Sequence, residues 1–439
     1  MNTRPFDSSI RLAPSYMDGA MIAAAAVPDS VLVYVGAACI QEHFHNTFSQ
    51  ADWGQDLVSD GPRSRLILTF SDLTAGVLGT SRAVETAVQR AREVLGPSIV
   101  FLAELSRVTI AGEDLAGLAQ DLTARFEVPV VALTGPSLAR DHETAYRSAL
   151  NGLARSLPDR AFDGGLIPRS AAVIGYLYER NEGDHRANVS LLERMLRQAG
   201  LSPVATWLSH APYAALAQAA RASLLLALPH GVEAARIIAS RSGAQVVEVQ
   251  LPIGVEGTRR FHEQVLNAAG AADRPEDLVQ QELAGSGREV LRAVFERLAG
   301  RRVALAALRE WRHGLVRMMQ EDFGMDVAVH GCRGRLPDAE NPEAPGSQDL
   351  DRDHDPSVRS WNHQVERAMK AAGLHLIVGS SWERNALRGP AATIPFCEFG
   401  YPCFRSHALT ERPSLGVAGM LAWADRLSDL IAGSRGLTV

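Results

Sequence analysis

At 439 residues the chain can bury two or three cores of ordinary domain size. Hydrophobic residues make up 46% and charged residues 21%, a globular balance, and a net charge of −6 with a pI near 6.1 excludes nucleic acid as the main partner. Four cysteines (Cys39, Cys332, Cys397, Cys403) are too few for a disulfide framework, and the longest apolar runs, such as 222–229, fall far short of a membrane span. No basic stretch followed by an apolar segment opens the chain, so the expected setting is the cytoplasm, with reduced thiols and no membrane. Lys370 is the single lysine, which leaves arginine to supply basic contacts, with its preference for bidentate binding of carboxylate and phosphate.

In chain order, "SVLVYVG" (30–36) and "RLILTF" (65–70) read as strands, and "SRAVETAVQRAREVL" (81–95) carries apolar residues at helical spacing. "PSIVFLAEL" (97–105) is strand-like, "GEDLAGLAQDLTARF" (112–126) helical and "VPVVALTG" (128–135) strand-like again. Buried strands alternating with helices imply a parallel sheet covered on both faces. The rhythm restarts at "SAAVIGYLY" (170–178), runs through a helix at 187–201 and continues in strands at 222–229 and 245–252. It restarts again at "RRVALAAL" (301–308), through a helix at 311–325 and strands at 326–332, 374–380 and 394–400. The expected fold class is therefore α/β, with three similar units at 1–165, 166–300 and 301–439, each a parallel sheet flanked by helices. The last carries an acidic, Pro- and Gly-rich surface loop at 333–357.

Ligands in such sheets lie beyond the carboxyl ends of the strands. Cys39 stands there, after "VGAA", where small side chains let other groups approach closely. A lone cysteine cannot complete a zinc or iron–sulfur site, which takes about four ligands. No CxxC occurs, so if Cys39 is a ligand the others come from another chain. Glu113 and Asp114, and Asp141, precede helices, where carboxylates favour the dipole. Pro252, Gly254 and Gly257 predict a strand end and a tight loop. GxxxxGK[ST], GxGxxG, GxSxG and HExxH are all missing, so no nucleotide site or hydrolase elbow is expected within this chain. "HFH" (43–45), His375 and His407 are too scattered for a metal cluster and read as bonded or solvated histidines. Cys397 and Cys403 read as buried, reduced thiols near the last strand, and Cys332 is assigned no role.

The ordered pieces "VGAAC" (35–39), "LSRVTIAGEDL" (105–115), "VPVVALTGPSLARDHETAYRSALNGL" (128–153), "LPIGVEGTRRF" (251–261), "LIVGSSWERNAL" (376–387) and "FGYPCFRSHALTERPSLGVAGM" (399–420) together resemble the nitrogenase component 1 superfamily. The resemblance is to its β-type subunits and covers nearly the whole chain. It implies three Rossmann-like domains, an α2β2 assembly with an α-type subunit, an iron–sulfur cluster shared between the two (4Fe–4S or larger), and an Fe-protein-like reductase that hydrolyses ATP and delivers electrons one at a time. ATP is then used by that partner and not by this chain. Cys39 falls on the position that ligates the bridging cluster in such β chains, although in protochlorophyllide reductase an aspartate stands there. Nitrogenase β chains offer three cysteines; here the first matches Pro14–Ser15 and the third Ser106, so a fully cysteine-ligated P-cluster is not expected. One cysteine from here and three from an α partner would complete a 4Fe–4S site, with oxygen ligation by Ser106 or Ser15 as the alternative. Among superfamily members the loss of two cysteines points away from nitrogenase. It points towards a methylthio-alkane reductase β subunit that cleaves C–S bonds, with a cofactor-assembly scaffold subunit as the competing reading and a nitrogenase- or protochlorophyllide-reductase-type β subunit as the other alternative. A Rossmann-like sugar- or nucleotide-binding protein, needing neither iron nor partner, is the third.

Overall fold

The computed structural model describes the chain except for residues 1–13, 37–38, 60–62, 71–78, 105–113, 135–140, 286–287, 334–364, 366–367, 369–372 and 435–439. Ser106 and nearly all of the loop expected at 333–357 therefore lie outside the described residues, as do the side chains of Cys39 and Cys332.

Twelve described strands form three four-stranded parallel sheets. The first holds β1 (Ser30–Gly36), β2 (Leu66–Phe70), β3 (Ile99–Glu104) and β4 (Val130–Ala132) in the order β2-β1-β3-β4. The second holds β5 (Ile167–Ile174), β6 (Ser202–Thr206), β7 (Ala222–Ala227) and β8 (Gln245–Glu248) in the order β6-β5-β7-β8. The third holds β9 (Arg302–Leu308), β10 (Asp326–Arg333), β11 (Leu376–Gly379) and β12 (Phe396–Glu398) in the order β10-β9-β11-β12. Numbered within its own sheet, each reads 2-1-3-4. One topology is thus used three times, although the sequence carries no short-period repeat.

The reasons are local. Every residue of β1 and β3 is buried, so these strands need apolar residues at each position and show no alternation. The helix Ser81–Leu95 buries Val84, Ala87, Val88 and Ala91, one stripe at 3.6-residue spacing, and stops at Gly96 in the left-handed region (φ 56°). That stripe joins Val31, Val33, Val35, Val100 and Leu102 in one core. The helix Leu115–Phe126 starts at Asp114, whose carboxylate accepts from the Gly117 amide at 2.8 Å. The helix His142–Ser156 starts at Asp141, which accepts from the Thr144 amide at 2.8 Å. Both starts agree with the sequence.

Four details differ from the sequence reading. The strand expected at 170–178 runs Ile167–Ile174, because Gly175 (φ 97°) turns the chain where an added Cβ would lie 2.2 Å from the Gly231 amide nitrogen. β6, "SPVAT", has no counterpart among the expected strands: it is short, contains Pro203 and lies at the sheet edge, where a missing N–H is tolerated. Gly254 opens a helix, Gly254–Ala269, and Gly257 lies inside it, in place of the expected tight loop. The helix expected at 311–325 runs Arg309–Arg317 and widens into a π-turn at Met318–Asp322.

The chain packs as two compact units. One comprises residues 15–288 and 407–422 and contains the first two sheets; the other, residues 289–406 and 423–439, contains the third. In the second unit Phe396, Ile377, Ala304 and Val329 centre the core. No helix among the described residues is long and apolar enough to cross a membrane.

Candidate functional site

A 2-1-3-4 order reverses direction between its first and third strands, and the crevice at their carboxyl ends is where such sheets bind ligands. In the first sheet that point lies between β1 and β3. β1 ends at Gly36, and three residues on Cys39 opens α2 (Cys39–His43). β3 ends at Glu104, two residues before Ser106. Cys39 thus follows the first of the two strands that flank the crevice, and Ser106, outside the described residues, follows the second in sequence. In the second sheet the equivalent point is closed by backbone: Gly175 follows β5, and an added Cβ on Gly231 would lie 2.2 Å from the Ile174 carbonyl oxygen.

α1 (Tyr16–Ala25) runs beside this edge and is buried on nearly every face. Ser15 is its N-cap. The Ser15 hydroxyl donates to Asp18 Oδ2 at 2.6 Å, the Ser15 amide donates to the same oxygen at 2.7 Å, and the Asp18 amide reaches back to the hydroxyl at 3.4 Å. The Ser15 backbone also bridges to Asp141. Ser15 is thus engaged as a helix cap.

Asp18 is fully buried, and its second oxygen lies 3.0 Å from His43 Nε2, in the last position of α2. Burial pushes its carboxyl up, but the hydrogen bonds from His43 and Ser15 and the charge of His43 hold it below the usual carboxylate range. Ser15 and the Cys39 helix, 24 residues apart in the chain, are tied together through Asp18. Beyond His43 the chain continues as a π-turn, Phe44–Phe48, whose two phenylalanines are buried, and a last turn, Ser49–Ala51.

That run ends in a second polar cluster, absent from the sequence reading. Asp52 is buried and accepts from the Asn181 and Gly54 amides, both at 2.9 Å. Burial, together with the nearby Glu182, pushes its carboxyl up to about 6 against the pull of those amides. Glu182 accepts from the Trp53 amide (3.0 Å), the Ala408 amide (2.8 Å) and His407 Nδ1 (2.7 Å). Burial raises it, but Arg180 and these donors hold it below the carboxylate range. The Trp53 ring stacks on His407 at 3.8 Å while remaining 64% exposed. Two carboxylates thus join segments 52–54, 180–184 and 407–408. The single sequence signal is a run of charge, "ERNEGDHR" (179–186), at the end of β5.

The remaining candidates separate cleanly. His43 pairs with Asp18, His407 with Glu182, and His375 Nδ1 accepts from the Arg302 amide at 3.1 Å. Cys397 and Cys403 are buried reduced thiols; burial raises the Cys397 thiol, and Cys403 Sγ donates to the Gly400 carbonyl at 3.3 Å. Among the described residues no group of three or more His, Cys, Asp or Glu could hold a metal ion.

Three parallel sheets of one topology define an α/β protein of nitrogenase component 1-like fold. The sequence profile of the nitrogenase component 1 type oxidoreductases matches residues 15–432. The chain belongs to that family. It is 25% identical over 252 residues to the light-independent protochlorophyllide reductase subunit N of Synechococcus sp. (strain RCC307), a match that spans 57% of each protein. Its fold superposes on a solved structure of nitrogenase Cp1 at pH 6.5 with a TM-score of 0.76, at 15% identity, covering 100% of this chain and 96% of that one. Nitrogenase Cp1 at pH 5 superposes with a TM-score of 0.71 at 16% identity, covering 100% and 92%. These likenesses establish the α/β, nitrogenase component 1-like fold.

Proposed function

We propose that the chain is the β-type subunit of a nitrogenase-like, ATP-dependent reductase of the cytoplasm, organised as domains 1–165, 166–300 and 301–439. In this reading Cys39 gives one thiolate to an iron–sulfur site completed by an α-type subunit in an α2β2 assembly. The observation that carries it is the position of Cys39, three residues past β1 at the crevice of the first 2-1-3-4 sheet, with Ser15 engaged in capping. Ser106, two residues past β3, remains the oxygen-ligand alternative. An iron–sulfur cluster supplies one-electron transfer when bound. This chain's part is to hold a corner of that site, to keep water from it with buried α1 and the Phe44–Phe48 turn, and to offer a docking face. Electrons pass from the reductase protein to a cofactor in the α-type subunit, where methylthio-alkanes undergo reductive C–S cleavage.

Cys39→Ala tests the ligand. The complex purified anaerobically with its partner should lose or convert its EPR signal and lose iron; full iron with an unchanged signal would show that Cys39 is not a ligand. Turnover tests the substrate. With the reductase, ATP and 2-(methylthio)ethanol, release of methanethiol or hydrocarbon supports the assignment, whereas cluster transfer to an apo-enzyme without turnover supports a scaffold. The similarity to a protochlorophyllide reductase subunit favours a second substrate, so protochlorophyllide belongs in the same assay.

A further inference from the structure

We infer that Asp18 and His43 are the positioning pair of the helix that carries Cys39. The inference rests on reading Cys39 as a cluster ligand and goes beyond it by naming what sets that helix. The start of α1 is capped by Ser15, and the capping box is closed by a second acceptor at the third helical position, a role a surface residue can fill. Here the acceptor is Asp18, with no exposed surface, inside a helix whose other buried residues are Tyr16, Gly19, Met21, Ile22 and alanines. A buried carboxylate costs several kcal/mol unless each oxygen is bonded. Oδ2 takes the Ser15 amide and hydroxyl; Oδ1 takes His43 Nε2 at 3.0 Å. The second bond does nothing for the cap. It ties α1 to α2.

His43 lies four residues beyond Cys39, about 6 Å along the helix axis. α2 is only five residues long, too short to hold its own direction. Ile40 within it and Phe44 and Phe48 beyond it are buried, and non-directional apolar contacts of this kind fix rotation about the helix axis less sharply than a directional bond does. A charge-assisted hydrogen bond at fixed distance defines it. Metal ligands must be placed within about 0.5 Å, which a tether one turn away can provide. Ser15, which the alignment of motifs sets against a cysteine ligand, becomes the outer end of this tether.

His43 is partly exposed at its side chain (27%), so His43→Ala can fold. In the metal-free chain, amide exchange across residues 39–48 should rise roughly tenfold or more in His43→Ala, the factor that about 1.4 kcal/mol confers. His43→Gln, whose amide can donate to the same oxygen, should restore it. In the complex, His43→Ala should keep its iron but change the EPR line shape, and His43→Gln should return the wild-type spectrum. Asp114→Ala removes a cap of similar worth on the helix Leu115–Phe126 and should change neither readout. Exchange or a spectrum unchanged in His43→Ala overturns the inference, and so does failure of His43→Gln to rescue. A complex without iron, or a Cys39→Ala complex with its cluster intact, defeats the reading of Cys39, while the exchange result in the metal-free chain still decides the tether.

Discussion

At the scale of single residues, the site is governed by two carboxylates whose burial has opposite outcomes. Asp18 is matched by donors on both oxygens and stays below the carboxylate range; Asp52 is bonded to neutral amides beside Glu182 and rises to about 6. The sign of the Asp52 effect comes from linkage. A carboxyl raised on folding contributes stability that is complete below its unfolded pKa, near ~3.9, and is lost as pH rises through its folded value. With a folded value of about 6, wild-type stability should fall between about pH 4 and pH 6, by up to about 3 kcal/mol. Asp52→Asn should flatten that slope in urea unfolding measured across the same range; equal slopes in the two proteins would show that Asp52 does not carry it. Ser15→Ala should cost about 1 kcal/mol through the lost cap. It should leave the iron content of the complex unchanged, since the Ser15 hydroxyl is engaged by Asp18.

At the scale of elements, α1 and the helix His142–Ser156 meet at a single close approach. An added Cβ on Gly19 would lie 2.0 Å from the His142 carbonyl oxygen, a backbone atom with no rotamer to escape through. Gly19→Ala should therefore separate the two helices and destabilise the protein by about 1–3 kcal/mol or more, read as a lower denaturation midpoint. An unchanged midpoint would mean that the helices are not packed as described. Because α1 also holds Asp18, the same variant should loosen residues 39–48 in hydrogen exchange. The elements themselves are largely legible in the sequence: β1 and β3 from unbroken apolar runs, the helix Ser81–Leu95 from its stripe, and two helix starts from Asp114 and Asp141. The misses have physical causes. β6 carries a proline that an edge position forgives, and Gly257 is accepted inside a helix because its small side lies in a buried stripe with Gly254, Thr258 and Phe261.

At the scale of the whole molecule, stability comes from three sheets with apolar cores. Val31, Val100 and Leu102 fill the first, Leu225, Leu226 and Ile238 belong to the second, and Ile377, Ala304 and Phe396 to the third. If the proposed cluster is shared with a partner at the edge of the first sheet, stripping iron from the purified complex with a chelator should leave its far-UV circular dichroism unchanged while the EPR signal disappears; loss of the circular dichroism would show that the cluster is structural.

The sequence by itself determined the α/β class, the three-fold restart of the strand–helix rhythm and the strand-end position of Cys39, because each depends on local periodicity and on the residues immediately after a buried strand. It also pointed to the family, through the order of motifs that are individually weak. Only the tertiary structure decided that all three sheets share the order 2-1-3-4, that Ser15 caps a buried aspartate, and that His43 and His407 are bound to Asp18 and Glu182. His407 and Glu182 stand 225 residues apart. No periodicity or spacing rule reaches that far: the partners of a buried charge are chosen by packing, since burial without them would cost more than the fold could bear.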